Sequence, residues 1–345
     1  MLISDFDFAL PEELIAQQPL AQRDAARMLM VDRMAQSYQD AQFMDFPAQL
    51  KAGDVVAVNN TQVFPARLAG VREPSGGRVE LFLIKELAPL VWETLARPGR
   101  RLQIGQRVTF GNGALRAEVL EARDDGRRVV RFACDRPFDE ALDALGQTPL
   151  PPYIKRDGAI GDADRERYQT VYARQRGAIA APTAGLHFTP QVLEEIRLRG
   201  THIVEITLHV GYGTFEPVRV EDVSQHRVAA ESYAITPETA ATINAARANG
   251  GRLWAVGTTT TRALESASDE AGRVQAGAGE ATLTITPGYR FRVVDALLTN
   301  FHLPQSSLLI LVSAFAGREL VLAAYRHAVA GHYRFYSYGD CMLLQ

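Results

Sequence analysis

The stretch Gly76-Gly77-Arg78-Val79-Glu80-Leu81-Phe82-Leu83-Ile84 places a glycine turn directly before a run of strand-forming residues. Turn-forming pairs such as Pro98-Gly99 and Asp125-Gly126 separate the runs that come after it. Similar runs begin at Val91, Arg107, Leu115 and Arg128. Short strands at this spacing are typical of a small antiparallel barrel or sandwich. We therefore predict an antiparallel β-barrel domain over residues 68–149.

The sequence on either side of this region has a different pattern. Two helical patterns start with Thr-Pro and stop at a glycine, over residues 189–200 and 236–250. Strand patterns alternate with them along the chain, at residues 54–58, 203–210 and 253–256. The alternation predicts an α/β main domain built from residues 1–67 and 150–345, with the barrel inserted in it. The polar stretch 156–167 is expected to be a flexible loop.

Composition limits the class of protein. The 345 residues carry a net charge of −3, so binding of a nucleic acid would require a local basic patch on the surface. Cys134 and Cys341 are far apart in sequence, which argues against a disulfide framework or a thiolate zinc site. The N-terminus lacks the basic-then-apolar order of a secretory signal, and we expect a cytoplasmic protein without a metal site.

The run 203–210 alternates between apolar and polar residues. Because side chains of a strand alternate between its faces, Glu205, Thr207 and His209 share one face. That face is either the wall of a pocket or the solvated side of an edge strand.

The run Leu253-Trp254-Ala255-Val256-Gly257 leads into four threonines and Arg262. An apolar strand that turns at a glycine into a helix start exposes free N–H groups, which could hold a carboxylate or a ribose. The run lacks the Gly-Lys-Ser/Thr of a phosphate loop, so nucleoside triphosphates are not expected. The alternative is simple threonine capping, with Arg262 on the surface.

Two further segments carry candidate acid–base groups. Asp295 stands in an apolar run followed by Asn300 and His302, and burial would raise the pKa of its carboxyl as a general base often requires. A structural aspartate bonded to backbone is the alternative. His187 stands in a small-residue loop where a strand pattern becomes a helix pattern.

Basic residues cluster on the barrel and at its exit. Arg97, Arg100 and Arg101 fall in one turn, and Lys155 and Arg156 follow the barrel. Their concentration in an acidic protein predicts contact with a phosphate backbone.

Several stretches taken together resemble the family of S-adenosylmethionine:tRNA ribosyltransferase-isomerases. The resemblance covers nearly the whole chain and lies mainly in residues 10–17, 59–68, 150–154, 166–172, 181–189, 207–215, 257–259, 298–304 and 333–340. One departure is Ala229 in the segment from His226 to Glu231, where the family tends to carry a second histidine. The aromatic-rich stretch 333–340 could form a stacking platform or a packed strand.

The resemblance implies an α/β domain with an inserted barrel and a specific reaction. The ribosyl unit of S-adenosylmethionine moves to a 7-aminomethyl-7-deazaguanine base in tRNA and is isomerised, so that epoxyqueuosine forms and adenine and methionine leave. No cofactor is implied beyond the donor itself, and the expected state is a monomer. An S-adenosylmethionine-dependent RNA methyltransferase and a non-catalytic RNA-binding protein remain the alternatives.

We expect the catalytic groups to come from His187, His209, His302 and Asp295, with the three histidines in one cavity. The residues expected to bind substrate are Gly257, Thr258, Thr259, Arg262, Asn60, Arg67, Asn300 and Glu231. The residues expected to bind nucleic acid are Arg97, Arg100, Arg101, Lys155 and Arg156.

Overall fold

The computed structural model describes residues 1–123, 126–156, 162–215 and 217–345. The strands are β1 Arg27–Asp32, β2 Ser37–Gln42, β3 Val55–Asn59, β4 Thr61–Val63, β5 Arg67–Arg72, β6 Arg78–Ala88, β7 Val91–Arg97, β8 Arg107–Phe110, β9 Leu115–Ala122, β10 Arg127–Cys134, β11 Gly146–Gln147, β12 Gln175–Ala178, β13 His202–Leu208, β14 Glu231–Ile235, β15 Leu253–Val256, β16 Gly277–Ala281, β17 Ala296–Asn300 and β18 Cys341–Leu344. The helices are α1 Phe138–Leu145, α2 Asp162–Arg167, α3 Pro190–Leu198, α4 Pro237–Ala248, α5 Thr258–Ser266, α6 Ser307–Ala316 and α7 Arg318–Ala330.

The inserted region forms a closed antiparallel barrel, as the strand spacing predicted. Its described strands pair in the order β5-β6-β7-β10-β9-β8, and β8 pairs back to β5. Alternate residues such as Leu81, Leu83 and Val108 fill the interior because a strand directs every second side chain to the same face. The chain leaves the barrel through α1 and β11, and β11 pairs with the start of β5. The exact division at residues 68–149 stays a prediction.

The main domain is built on a mixed sheet. The described strands follow the order β16-β14-β13-β3-β15-β17-β18-β1-β2. The four central strands β13, β3, β15 and β17 run parallel, so their carboxyl ends meet at one edge. The prediction of an α/β domain with an inserted barrel is confirmed.

The predicted helix starts are also confirmed. The Thr189 hydroxyl accepts a hydrogen bond from the Val192 N–H at the start of α3. The Thr236 hydroxyl does the same for the Thr239 N–H at the start of α4. Such caps satisfy a backbone donor that a helix otherwise leaves free, at about 1 kcal/mol each.

Part of the stretch 156–167 is helical, so the expectation of a loop is wrong for residues 162–167, which form α2. Arg156 donates to both carboxylate oxygens of Asp164, at 2.8 and 2.7 Å. This bidentate pair fastens α2 to the segment that precedes it. Asp125 of the turn pair Asp125-Gly126 lies outside the described residues.

In the described part of the chain, no single helix is long and apolar enough to cross a bilayer, and the pair α6 and α7, which reaches the length together, is bent by 117°.

Candidate active site

Polar residues gather where the parallel strands of the main sheet end. Asn60 follows β3, His209 follows β13, and Gly257 follows β15. Asn300 ends β17, and His302 lies two residues further on. In α/β sheets, ligands bind in the crevice outside the carboxyl ends of parallel strands. This edge is therefore the first place to look for a substrate site.

A cleft of about 230 Å³ opens at this edge, and we call it the strand-end cleft. Its lining includes His226, Glu231, Arg262, His302, Gln305, Ser307, Tyr153 and Tyr336. Gln305 and Tyr336 have left-handed backbones, with φ of +54° and +76°. This conformation costs free energy in a non-glycine residue, so the surrounding structure must hold the residue in it. Such residues cluster at functional sites.

His302 is a buried imidazole in the wall of this cleft. Its Nε2 lies 2.8 Å from the Thr299 hydroxyl, which in turn donates to the Asn300 carbonyl at 3.4 Å. The tautomer with its proton on Nε2 satisfies both contacts, because the Thr299 hydroxyl has only one proton to donate. Burial lowers the pKa of His302 to about 3, so the ring is neutral at physiological pH.

A smaller cavity of about 80 Å³ adjoins the strand-end cleft, and the two share His302, Tyr153, Leu308 and Tyr336. We call it the helix-start cavity, because Gly257, Thr258 and Thr259 at the beginning of α5 line it. Gly257 has a φ of +94°, which a glycine adopts without strain.

The four threonines of α5 are not equivalent. Thr260 donates to the Val256 carbonyl at 2.6 Å, and Thr261 donates to the Gly257 carbonyl at 3.1 Å. The Thr259 hydroxyl is buried and has no hydrogen-bond partner among the described residues. A buried hydroxyl without a partner is costly, so Thr259 is poised to bond a ligand in the helix-start cavity.

His187 lies behind this edge rather than in the cleft. It ends a short 3-10 helix, Thr183–His187, and its ring packs 5.3 Å from that of Phe43. Its Nε2 lies 3.3 Å from the Asn300 side-chain oxygen, to which it donates. Burial lowers the pKa of His187 to about 4.

His209 lies in a different cavity, of about 480 Å³, between the barrel and the main sheet. We call this the junction cleft. The His209 Nδ1 is 2.8 Å from the Thr61 hydroxyl, and the same hydroxyl lies 3.4 Å from the Gln175 carbonyl. In the tautomer that carries its proton on Nδ1, the ring donates to Thr61 and the lone pair of Nε2 is free to accept a proton. Partial burial lowers the pKa of His209.

The expectation that the three histidines share one cavity is wrong. Among the described residues, His302 lines the strand-end and helix-start cavities, His209 the junction cleft, and His187 a separate small pocket. The strand-end cleft and the junction cleft do adjoin, because both are lined by Gly213, Ala229 and Glu231.

Arg262 was expected on the surface or against a substrate, and the structure contradicts the surface placement. The guanidinium is buried and lies 2.5 Å from the Glu231 carboxylate. Its other N–H groups donate to the carbonyls of Ala281, Ala229 and Leu283. Glu231 also accepts from the Gly211 N–H at 2.9 Å, so the pair holds the loop that separates the two clefts.

Three of the expected substrate-binding residues already form hydrogen bonds or ion pairs with other residues of the protein. Asn60 donates to Glu205 and accepts from Thr207. The Asn300 amide donates to the Tyr336 carbonyl at 2.8 Å. Arg67 lies 3.5 Å from Glu80 on the barrel.

Asp295 was expected to be a buried base, and the structure places it differently. It precedes β17, so it lies about 16 Å from the carboxyl end of that strand, at about 3.3 Å per residue. Its carboxylate accepts from the Leu253 N–H at 2.8 Å, pairs with Arg247 and remains 37% exposed. The alternative of a structural aspartate therefore describes Asp295 better.

The basic residues of the barrel divide into two groups. Arg97, Arg100 and Arg101 are exposed at a barrel tip and have no ion-pair partner within the described ranges. The buried Arg128 holds this tip, since it donates to the carbonyls of Gly99 and Leu102 at 2.6 Å.

The two basic residues after the barrel differ from those at its tip. Lys155 is exposed and pairs with Glu12 at 2.5 Å. Arg156 is only 15% exposed and engaged by Asp164, so it is not free to contact a phosphate as expected.

Several residues of the strand-end cleft were not named individually as site residues in the sequence analysis. His226 was named only as the start of the segment in which Ala229 replaces a histidine, yet its Nε2 is 2.7 Å from the Ser307 hydroxyl at the start of α6. Tyr153 and Tyr336 pack with their rings 3.9 Å apart. The pair Ser306-Ser307 before an apolar run was the available signal, since serine caps helices there.

The whole chain matches one family of known proteins. The model of the family described as "Queuosine biosynthesis protein" matches residues 3–344. The chain belongs to this family.

Family members of known name cover the full chain. S-adenosylmethionine:tRNA ribosyltransferase-isomerases of Desulforamulus reducens and Symbiobacterium thermophilum are 51% and 52% identical to it, over 100% of both chains in each case. Among solved structures, the S-adenosylmethionine tRNA ribosyltransferase of Thermotoga maritima is 34% identical, with a TM-score of 0.57, and the match covers 99% of this chain and 100% of that one.

Proposed function

We propose that the protein transfers and isomerises the ribosyl unit of S-adenosylmethionine onto the 7-aminomethyl-7-deazaguanine base of a tRNA, with release of adenine and methionine. The full-length identity of about 50% to enzymes of that name carries the proposal. The cleft at the carboxyl ends of the parallel strands supports it, since a donor and an acceptor can meet there.

The methionine end of the donor fits the helix-start cavity. A cavity of about 80 Å³ has room for about two or three water-sized groups, since a water occupies roughly 30 Å³, and a carboxylate is of that size. The N–H groups at the start of α5 favour an anion, and the free Thr259 hydroxyl can donate to it. Gly257, Thr258 and Thr259 are thus proposed to hold the donor.

The adenosyl end of the donor fits the larger strand-end cleft, which joins the helix-start cavity at Tyr153, His302 and Tyr336. The aromatic faces of the two tyrosines there can steady the sulfonium by a cation–π contact of about 0.5–2 kcal/mol. Tyr336 thus supports the reading of stretch 333–340 as a stacking platform; the strand β18 begins only after it.

The histidines receive different roles from their surroundings. A group with a pKa of about 3 is neither a good acid nor a good base near pH 7, so His302 is proposed to orient the donor by hydrogen bonding. His187 is proposed to fix the orientation of the Asn300 side chain, through the hydrogen bond to its oxygen. His209, with a free Nε2 and an open cleft in front of it, is proposed as the base that takes a proton from the acceptor amine.

The arginines at the barrel tip are proposed to contact phosphates of the tRNA. Charge reversal at both Arg100 and Arg101 should weaken tRNA binding and reduce the slope of log affinity against log salt by about 2, since each phosphate contact contributes roughly 0.9. Binding titrations at several salt concentrations measure this. A slope equal to that of the unaltered protein would show that the arginines at the barrel tip do not contact the tRNA.

We further propose that the protein acts in the cytoplasm as a monomer, with no cofactor beyond the donor. The monomer and the absence of a further cofactor follow the family resemblance. Ultracentrifugation with and without tRNA tests the monomer.

One assay separates the proposed activity from its alternatives. Protein, S-adenosylmethionine and precursor tRNA are mixed, and the small products are separated by chromatography. Ribosyl transfer gives free adenine and methionine in equal amounts, whereas methyl transfer gives S-adenosylhomocysteine. A non-catalytic RNA-binding protein gives neither.

A further inference from the structure

The junction cleft contains an ordered row of polar residues on three neighbouring strands. In β14 and β16, Ser232 pairs with Glu280. Just beyond β13, the His209 N–H donates to the Ser232 carbonyl at 3.0 Å. His209, Ser232 and Glu280 all line the cleft.

The spacing of the row follows from sheet geometry. Neighbouring strands lie about 4.8 Å apart, so the backbones of His209 and Glu280 are about 10 Å apart across the row. The space in front of Ser232 is therefore wide enough for a small group to contact the side chains of His209 and Glu280 together. The barrel closes the opposite side of the cleft with Lys85, Glu86 and Trp92.

Glu280 differs from the other carboxylates of this cleft. Glu93 pairs with Arg123 and Arg127, and Glu231 pairs with Arg262. Glu86 accepts a hydrogen bond from the Leu90 N–H. Glu280 is exposed and has no ion-pair or side-chain hydrogen-bond partner in the part of the chain that the structure describes. It is thus a negative charge available to a ligand.

The junction cleft also adjoins the proposed donor site. Gly213, Ala229 and Glu231 line both the junction cleft and the strand-end cleft. A Cβ on Gly213 would lie 2.6 Å from the Ala229 Cβ, so these two small residues pack directly against each other. The wall between the two clefts is therefore thin, and a molecule in the junction cleft lies next to a donor in the strand-end cleft.

We propose that the junction cleft is the site of the acceptor base, and that Glu280 recognises the ammonium of its aminomethyl group. This inference rests on the proposed function. A primary alkylamine is protonated at neutral pH, as a lysine side chain is, so a free carboxylate is the fitting partner. With the amine between Glu280 and His209, the ammonium gives one proton to the free Nε2 of His209 and becomes a neutral nucleophile.

The test measures the affinity for two tRNAs that differ only in the base. One carries 7-aminomethyl-7-deazaguanine, and the other carries guanine at the same position. Dissociation constants are measured for the unaltered protein, for Glu280→Gln and Glu280→Lys, and for the control Glu270→Gln, an exposed carboxylate outside both clefts. Thermal unfolding verifies that each variant is folded.

The unaltered protein and Glu270→Gln should prefer the amine-bearing tRNA by about tenfold or more, in keeping with a hydrogen bond between charged groups. Glu280→Gln should lose most of this preference, and Glu280→Lys should reverse it. Affinity for the guanine tRNA should change little in Glu280→Gln. Equal preference in Glu280→Gln and the unaltered protein overturns the inference, as does the absence of any preference in the unaltered protein.

Failure of the proposed function is distinguishable from failure of this inference. Adenine release by the unaltered protein tests the function, whichever residue recognises the amine. Normal adenine release, together with an unchanged preference in Glu280→Gln, leaves the function standing and removes Glu280 from the acceptor site.

Discussion

The two ends of the central sheet differ in how their polar groups are satisfied. At the amino end, Asp54 accepts from Trp254 Nε1, from the N–H groups of Lys51 and Arg252, and from the Arg252 guanidinium. At the carboxyl end, the Thr259 hydroxyl and the His209 Nε2 have no partner among the described residues. Both ends border a cavity, of about 500 Å³ at the amino end and about 230 Å³ at the strand-end cleft.

The difference shows that a cavity and charged residues are not enough to identify a site. Carboxylates at the amino end have their hydrogen bonds supplied by the protein, so they stabilise the fold. Groups at the carboxyl end retain bonding capacity that a substrate can use, and the backbone there is strained at Gln305 and Tyr336. The following experiments test this division.

The largest effect is expected from two histidines at opposite ends of β13. His209→Ala should lower turnover by about 10²- to 10⁴-fold, the usual contribution of a general base, with little change in donor affinity. His202→Ala, at the exposed amino end of the same strand, is the matched control and should leave turnover within twofold. Steady-state kinetics and donor titrations measure both. Turnover within a few-fold in His209→Ala would contradict its assignment.

The free energy of unfolding should depend on pH because two buried histidines have lowered pKa values in the folded state. The pKa values of His187 and His302 fall to about 4 and about 3 on folding, so below pH 6.5 the unfolded state binds protons that the native state does not. Stability is thus retained above pH 6.5 and lost as the pH falls. The expected loss is about 2 kcal/mol per histidine between pH 7.5 and 5.

Denaturant unfolding at both pH values measures this loss. His302→Asn should remove about half of the difference, since a buried amide does not titrate. A difference as large in His302→Asn as in the unaltered protein would mean that other groups control the acid sensitivity.

Two threonines of α5 should separate donor binding from helix capping. Thr259→Val should raise the KM for the donor by about tenfold or more, because a hydrogen bond to a charged group contributes about 1.5–3 kcal/mol. Thr261→Val is the matched control, since its hydroxyl donates to the Gly257 carbonyl. Its KM should stay within about twofold. Equal KM values in the two variants would place the carboxylate elsewhere.

The smallest effect is expected at Asp295. Asp295→Asn should leave turnover within twofold and destabilise the protein by less than about 1 kcal/mol, because the partly exposed ion pair to Arg247 is weak. Activity and unfolding assays measure these. A loss of turnover of tenfold or more in folded Asp295→Asn would mean that Asp295 is catalytic after all. It would also contradict the conclusion that the polar groups at the amino end of the sheet only stabilise the fold.

Much of the fold could be predicted, because it depends on local patterns. Turn pairs and alternating runs marked the barrel, and Thr-Pro starts marked α3 and α4. The polar face of β13 was visible in its alternation, and the helix start after Gly257 was visible in its threonines. Strand ends that precede loops are a local feature, so candidate residues at the carboxyl edge could be named.

The partners of these residues could not be predicted, because they come from distant parts of the chain. Arg262 is engaged by Glu231, and Arg156 by Asp164, and neither pairing follows from residue type. His226 lines the cleft and contacts Ser307, which is 81 residues away in sequence.

The sequence by itself determined the strands and helices of this protein, the insertion of a barrel into an α/β domain, and its family. The elements and the domain layout follow from periodicity, capping and turn chemistry, which act between residues close in the chain, whereas the family follows from the resemblance of several whole stretches to known members. Only the tertiary structure decided which polar groups are available to a substrate and which cavity each histidine faces. Availability depends on the hydrogen bonds and ion pairs that remain unmade after distant strands and loops have packed together.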